Sequence, residues 1–161
     1  MKAARWVTGA DPSGLLYGAI VSGAVLVTVN AHASSADRVV VTTSVFLVTY
    51  WMAHVYIGTL STQLRGDTRA FFPRLGTAAR TETGVLKGGV PAIVVYSVGY
   101  LLGLDKPDAA ALAAYFTVGL LMVVGYLGAH AAGLRGRIVV GEVAAAAFFG
   151  VLIVIGKSLL H

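Results

Sequence analysis

The sequence predicts an all-α membrane protein, a bundle of five transmembrane helices, from three observations. Hydrophobic residues make up 57% of the 161 residues and charged residues only 12%, about half the charged share usual in soluble domains. Five segments of 17 to 26 residues contain at most one Asp, Glu, Lys or Arg. A helix needs roughly 20 apolar residues to cross a bilayer, and these segments lack the alternation of β-barrel strands. Cysteine is absent, which excludes disulfides, thiolate metal sites and cysteine nucleophiles.

The spans follow from these segments in chain order. They are predicted at 14–33, 38–63, 85–104, 109–132 and 138–158, within a single transmembrane domain that covers 1–161. The third span has Lys87 at its start and Pro91 one turn later, where proline frees a backbone carbonyl and bends a helix. The first span is followed by Ala31-His32-Ala33, a pattern also found in cleaved secretory signals, but Pro12 before it favours an uncleaved span.

The basic residues predict the orientation, because Lys and Arg collect on the cytoplasmic side of short loops. With five spans, one side receives the N-terminus, the loop 64–84 with Lys87 just after it, and the last loop, which together hold nine of the twelve basic residues. The other side receives Arg38, Lys106 and Lys157. We therefore expect the N-terminus inside and the C-terminus outside the cytoplasmic (inner) membrane of a bacterium.

The basic cytoplasmic loop 64–84 interleaves basic and aromatic residues. Its arginines are Arg65, Arg69, Arg74 and Arg80, with Phe71, Phe72 and Leu75 among them. An interfacial segment of this composition places aromatic residues among acyl chains and arginines on lipid headgroups. An ordinary positively charged loop explains the same residues equally well. Basic residues spread along loops do not form a nucleic-acid groove, so no nucleic-acid partner is expected.

Small residues predict how the helices pack, because helices in lipid associate through close backbone contact. One ridge at four-residue spacing consists of Gly14, Gly18 and Ser22. Further ridges are predicted for Gly99 with Gly103, for Gly125 with Ala129, and for Glu142 with Ala146 and Gly150. These ridges indicate a tight bundle and leave open a homo-oligomer or a membrane-protein partner.

His54 is the strongest candidate for chemistry, because a charged side chain inside a bilayer costs about 2.5–3.5 kcal/mol on insertion scales. It lies 15 residues after Val39, near the middle of the second span. Thr43, Tyr50 and Ser61 share its helical stripe, at intervals of 7, 4 and 7 residues. Histidine titrates near neutral pH, so this stripe is suited to proton binding. The alternative is a neutral histidine that hydrogen-bonds a neighbouring helix.

His130 and Glu142 form a second candidate pair, on either side of the last short loop. They can act as a proton acceptor or weak cation site, although Arg135 or Arg137 can instead neutralise the carboxylate. Secondary candidates are Glu82, Lys157, His161, Asn30 and His32. The histidines His32 and His161 are too few for a zinc site, which takes four ligands. We expect no metal, no cofactor and no catalytic residue.

Four short stretches carry a resemblance to a known group. They are Leu16-Tyr17-Gly18, Tyr50-Trp51-Met52-Ala53-His54-Val55-Tyr56, Glu82 with Pro91, and Gly156-Lys157-Ser158-Leu159-Leu160-His161. Together they resemble a group of small bacterial five-helix integral membrane proteins to which no function is assigned. The resemblance covers most of the chain. It implies the fold but no activity, and it adds weight to His54, Glu82, Lys157 and His161.

Three functions are compatible with these features. The first is a small channel or proton-linked transporter with His54 on the pathway, formed between subunits or along a groove. The second is a non-catalytic accessory or scaffold subunit that binds another membrane protein through small-residue helix faces. The third, a membrane enzyme acting on lipid, has the least support, because only His130 and Glu142 offer titratable groups at one interface.

Overall fold

The computed structural model describes residues 12–131 together with 133, 139–141, 144, 145, 148 and 151. Within these residues every regular element is an α-helix. The helices with complete bounds are α1 (Pro12–His32), α2 (Ala36–Leu64), α3 (Phe71–Thr81), α4 (Thr83–Leu101) and α5 (Lys106–Ala131). Of these, α1, α2, α4 and α5 are long and apolar enough to cross a membrane. The protein is therefore a helical, membrane-embedded chain.

The first four predicted spans are confirmed as membrane-length helices, with each end within three residues of its predicted position. Pro91 lies inside α4 and does not end it. The fifth predicted span, 138–158, lies largely outside the described residues, although 139–141, 144, 145, 148 and 151 are helical. Both the count of five spans and the orientation of the termini stay predictions.

The closest helix contact joins α1 to α4. Gly18 lies against the carbonyl of Val85, and Gly88 lies against the carbonyl of Leu15. A Cβ atom added to either glycine would overlap the backbone of the other helix. Because the two backbones touch, only glycine fits at these two positions, which is how membrane helices gain packing energy without a hydrophobic driving force.

The predicted ridge of Gly14, Gly18 and Ser22 is buried, as expected. Its counterpart on α4 consists of Gly84, Gly88 and Ala92, which are also buried and are absent from the predicted ridges. The prediction for Gly99 and Gly103 is wrong, because Gly103 lies beyond the end of α4 in the connection to α5. There its φ of 97° favours glycine. On α5, Ala129 is buried and Gly125 half-buried. The predicted ridge of Glu142, Ala146 and Gly150 lies outside the described residues.

Two polar contacts hold one end of the bundle together. The buried hydroxyl of Tyr96 on α4 donates to Oδ1 of Asn30 on α1, at 3.1 Å. Lys106 at the start of α5 donates from Nζ to the carbonyl of Ala33, just after α1, at 2.6 Å. The Tyr96 contact matches two groups that would otherwise be buried without a partner, at a cost of about 1–3 kcal/mol each, whereas the Lys106 contact is only half-buried.

Helix α2 lies at the side of this core. Its inward residues recur at helical spacing and include Val39, Thr43, Leu47, Val55 and Thr59. The opposite face exposes large apolar side chains, namely Val41, Val45, Phe46, Val48 and Met52. In a membrane-embedded chain, such a face contacts lipid or another membrane protein.

The connection 64–84 contains the amphipathic helix α3. With 11 residues, it is about 16 Å long at 1.5 Å per residue, too short to cross a bilayer. Phe72 is exposed on its apolar side and Arg80 is exposed on its polar side, whereas Arg74 and Ala78 face the protein. We call this end of the bundle, where α2 ends and α4 begins, the basic end.

Candidate functional site

His54 lies in the groove between α1 and α2, on the outside of the bundle. Its half-buried ring is 4.5 Å from the ring of Tyr50 and 6.0 Å from the ring of Tyr17 on α1, measured between centroids. Tyr17 is itself 52% exposed. The structure therefore places the histidine between two tyrosines at a helix groove and not in the central core.

The hydrogen bonding of His54 defines its tautomer. Nδ1 lies 3.3 Å from the backbone carbonyl oxygen of Tyr50, one turn earlier. Because a carbonyl only accepts, Nδ1 must carry the hydrogen, and the lone pair of the neutral ring lies on Nε2. Nε2 has no hydrogen-bond partner within the part of the chain that the structure describes. It is therefore the basic atom that can take up a proton.

The other residues of the predicted stripe do not all lie beside His54. Thr43 is fully buried in the core, and its hydroxyl has no hydrogen-bond partner among the described residues. Tyr50 stays beside His54. Ser61 lines a different recess, nearer the end of α2. The structure thus brings together Tyr50 and His54 and adds Tyr17, which the spacing within one helix cannot predict.

Two further buried polar atoms lie near α2 without a partner among the described residues. They are the hydroxyl of Ser22 on α1 and Nε1 of Trp51 on α2. The hydroxyl of Ser22 lies on the ridge of α1 that faces α4, against Gly89 and close to Leu47 of α2. A buried donor without a partner costs about 1–3 kcal/mol, so each of these two atoms lowers the stability of the bundle. No motif in the sequence marks Ser22 as polar and buried, because serine also serves as a small packing residue.

The second candidate pair is only half described. His130 is exposed near the end of α5, and its ring is nearly parallel to that of Tyr126, with centroids 6.1 Å apart. Glu142 lies outside the described residues, so its approach to His130 stays a prediction. Among the described residues, no group of three His, Asp or Glu side chains could hold a metal ion.

The secondary candidates take different positions. Asn30 is buried and accepts from Tyr96, which is a structural contact between helices. His32 is exposed, and its Nδ1 lies 3.0 Å from the carbonyl of Thr28 in its own helix. Glu82 follows α3 and lines a recess at the basic end. Lys157 and His161 lie outside the described residues.

That recess, which we call the basic recess, lies between the end of α2 and helix α3. It has a volume of about 220 Å³. Its polar lining consists of Ser61, Thr62, Arg65, Arg69, Arg74, Thr77, Thr81 and Glu82. Three of the four arginines predicted to meet lipid headgroups therefore converge on one site, whereas Arg80 is exposed outside it.

The arginines of the basic recess differ in how they are paired. Arg69 is bound in a two-pronged ion pair to Asp67, with Nη2 2.6 Å from Oδ2 and Nε 3.1 Å from Oδ1. Hydrogen bonds from the side chain and then the backbone N–H of Arg69 lower the pKa of Asp67 to about 2, with smaller charge effects from Arg69 and Arg74. The same pairing raises the pKa of Arg69.

Arg74 has no such pair. Its side chain lines the recess with only 8% of the residue exposed. Nε and Nη1 are buried and have no hydrogen-bond partner among the described residues. A guanidinium group stays charged at all ordinary pH values, so Arg74 is a buried positive charge with unused donors.

Comparison of the chain with family models, with curated proteins and with solved structures gives no significant match. The resemblance to small bacterial five-helix membrane proteins stays a prediction. The fold and its two polar sites, the groove at His54 and the basic recess, are therefore the basis for assigning a function.

Proposed function

We propose that the protein is a small channel or proton-linked transporter of the bacterial cytoplasmic membrane, in which His54 binds the proton. One observation carries this proposal. His54 presents a basic Nε2 that has no partner among the described residues, at a half-exposed position about 15 Å from the end of a membrane helix. A polar atom that faces hydrocarbon without a hydrogen bond is costly, so this position favours contact with water or a transported ion.

The surroundings of His54 also suit its protonated form. The carbonyl of Tyr50 continues to accept from Nδ1 when the ring is charged, because Nδ1 carries a hydrogen in both states. The rings of Tyr17 and Tyr50 lie 6.0 and 4.5 Å away, and aromatic faces within about 6 Å attract a cation. Uptake at Nε2 and release from Nε2 therefore need no change in the contact that orients the ring.

The route would run along the α1–α2 groove. A path between α1 and α4 is blocked, because Gly18 and Gly88 bring those two backbones into contact. The groove is open on the outer side of the bundle, where Tyr17 is exposed. A second copy of the chain would close it, so this function requires a homo-oligomer.

Proton flux in proteoliposomes tests the proposal. His54→Ala should lower flux at least tenfold, because it removes the basic nitrogen that lies beside Tyr17 and Tyr50. His32→Ala is the matched control, since His32 makes the same contact with the carbonyl four residues earlier but lies at the end of α1. Equal flux in wild type and in folded His54→Ala, judged by circular dichroism and gel filtration, would rule out the role of His54.

The second candidate is a non-catalytic accessory subunit, and the exposed apolar face of α2 favours it. That face includes Val41, Phe46 and Met52 and suits another membrane protein as well as lipid. An accessory subunit would show no flux alone and would co-purify with its partner in mild detergent. The flux experiment therefore separates the two candidates.

A further inference from the structure

We propose that the basic recess binds the phosphate group of a membrane phospholipid headgroup, with Arg74 as its main ligand. This site does not include His54 and does not depend on the transport proposal. Three observations support the proposal: the pairing of the charged groups, the position of the recess and its size.

The pairing at the recess leaves one strong donor unused. Asp67 is occupied by Arg69 in the two-pronged ion pair. Glu82 also lines the recess, yet Nε and Nη1 of Arg74 remain without a partner among the described residues. Buried donors of a charged group that find no acceptor are costly. An anionic ligand that supplies acceptor oxygens would remove this cost.

A phosphate diester has the chemistry that Arg74 requires. Its two non-bridging oxygens share one negative charge and match the planar fork of a guanidinium group, which donates two parallel hydrogen bonds. Arg65 lies on the same recess and adds a second positive charge.

The position of the recess favours a lipid over free phosphate in solution. It lies between the last turns of α2 and the amphipathic helix α3, which is the level at which a bilayer carries its phosphates. The apolar side chains of Leu64 and Phe72 are exposed on the two helices beside it, and they suit the acyl chains of a lipid whose phosphate enters from the side.

The size of the recess limits the ligand to a headgroup. Its volume of about 220 Å³ is below the range of about 300–1,000 Å³ that is typical of pockets for drug-sized molecules. A phosphate with a small substituent fits inside, and the rest of the lipid remains in the bilayer. Phosphatidylethanolamine, whose headgroup is small, is therefore the expected ligand among common phospholipids.

Native mass spectrometry of the full chain in detergent tests the proposal, with four probes. These are phosphatidylethanolamine, phosphatidylglycerol, diacylglycerol without phosphate, and inorganic phosphate as a competitor. We expect the wild type to bind both phospholipids, with phosphatidylethanolamine at least as tight as phosphatidylglycerol, and not to bind diacylglycerol. Millimolar inorganic phosphate should not displace them. Displacement by inorganic phosphate would show that the recess takes free phosphate and would overturn the lipid assignment.

Variants assign the binding to Arg74. Arg74→Gln should weaken phospholipid binding at least tenfold, whereas Lys87→Gln should leave it unchanged. Lys87 is a matched control, because it is an exposed positive charge at the same end of the bundle and does not line the recess. Equal binding by Arg74→Gln and the wild type would overturn the proposal. Equal weakening by both variants would also do so, because general surface charge would then explain the binding.

A melting experiment gives a second and independent readout. Without lipid, Arg74→Gln should melt at the same temperature as the wild type or higher, because it loses a buried charge whose Nε and Nη1 donors have no acceptor among the described residues. With phosphatidylethanolamine, only the wild type should gain in melting temperature. A lipid-free Arg74→Gln protein that melts well below the wild type would mean that the chain itself satisfies Arg74, which would overturn the proposal. Arg74→Lys keeps the positive charge but loses the planar guanidinium group, so it should bind the phospholipid with intermediate affinity.

Discussion

The two sides of the bundle differ in how closely their backbones pack and in how many of their buried polar groups are hydrogen-bonded. On the α1–α4 side, glycines bring two backbones into contact, and Tyr96 matches the buried amide of Asn30. On the α2–α3 side, Thr43, Trp51 and Arg74 keep buried polar atoms without partners among the described residues. The first side is packed as closely as a protein core, although the hydroxyl of Ser22 on it also has no partner among the described residues. The second side holds more unmatched polar atoms and a buried charge, which is typical of a surface that binds a ligand.

The two sides therefore contribute differently, the α1–α4 side to stability and the α2–α3 side to function. Close packing and matched hydrogen bonds contribute to stability and tolerate little change. Unmatched polar groups cost stability and are expected where a site binds something else. We therefore expect substitutions on the α1–α4 side to lower stability and substitutions on the α2–α3 side to alter flux or lipid binding.

The largest expected effect is at Gly88. Gly88→Ala should lower the free energy of unfolding by about 3 kcal/mol or more, because its Cβ would overlap the backbone of Leu15 and force α1 and α4 apart. Gly119→Ala is the control, since Gly119 is a helical glycine on α5 with open space around it. Chemical unfolding in detergent measures both. An unchanged midpoint for Gly88→Ala would show that α1 and α4 do not touch.

A smaller effect is expected at Tyr96. Tyr96→Phe removes the hydroxyl that donates to Asn30 and should lower the free energy of unfolding by about 1–2 kcal/mol. Tyr100→Phe, one turn later on the exposed side of α4, should change it little. Thermal melts in the same detergent compare the two. Equal melting temperatures for both variants would mean that the buried hydrogen bond contributes nothing.

The smallest expected effect concerns the stability of the α2–α3 region at acid pH. The pKa of Asp67 is lowered to about 2, so its ion pair with Arg69 stabilises the fold at neutral pH and is lost as the pH falls below the usual value of 3.8 towards 2. Arg69→Gln should raise the pKa of Asp67 towards that usual value, and Arg74→Gln should raise it less.

Carboxyl NMR titration of Asp67 measures this shift directly. Arg80→Gln serves as the control, because Arg80 is exposed on the polar side of α3 and is not among the groups that shift Asp67. An Asp67 that titrates at about 2 in Arg69→Gln would show that another group holds the carboxylate in its charged form.

The membrane helices were predictable from the sequence, because uninterrupted apolar length is what a bilayer selects. The four confirmed spans follow from the spacing of charged residues alone. The α4 ridge was harder to predict, because Gly88 and Gly89 stand between Lys87 and Pro91, residues that indicate the beginning of a span and a bend. Which glycine meets a backbone depends on the rotation of two helices, and spacing within one helix does not determine that rotation.

The sites were predictable only in part. Spacing placed Tyr50 beside His54, since both belong to one helix, but Tyr17 comes from another helix and no local pattern connects them. Arginines in the loop 64–84 predicted contact with headgroups, yet the burial of Arg74 depends on how α3 packs against α2. Long polar side chains in loops are usually exposed, so a buried arginine has no sequence signal of its own.

The contact between Gly18 and Val85 also bears on how the chain is made. The two residues are 67 positions apart, and ribosomes add about 5–20 residues per second. At that rate, the facing part of α4 is synthesised roughly 3 to 13 seconds after α1. During that interval its glycine face is open to lipid or to the insertion machinery. Slower translation, or a substitution that destabilises α1, should therefore lower the yield of inserted protein. Either change should affect that yield more than the free energy of unfolding of the protein that has inserted.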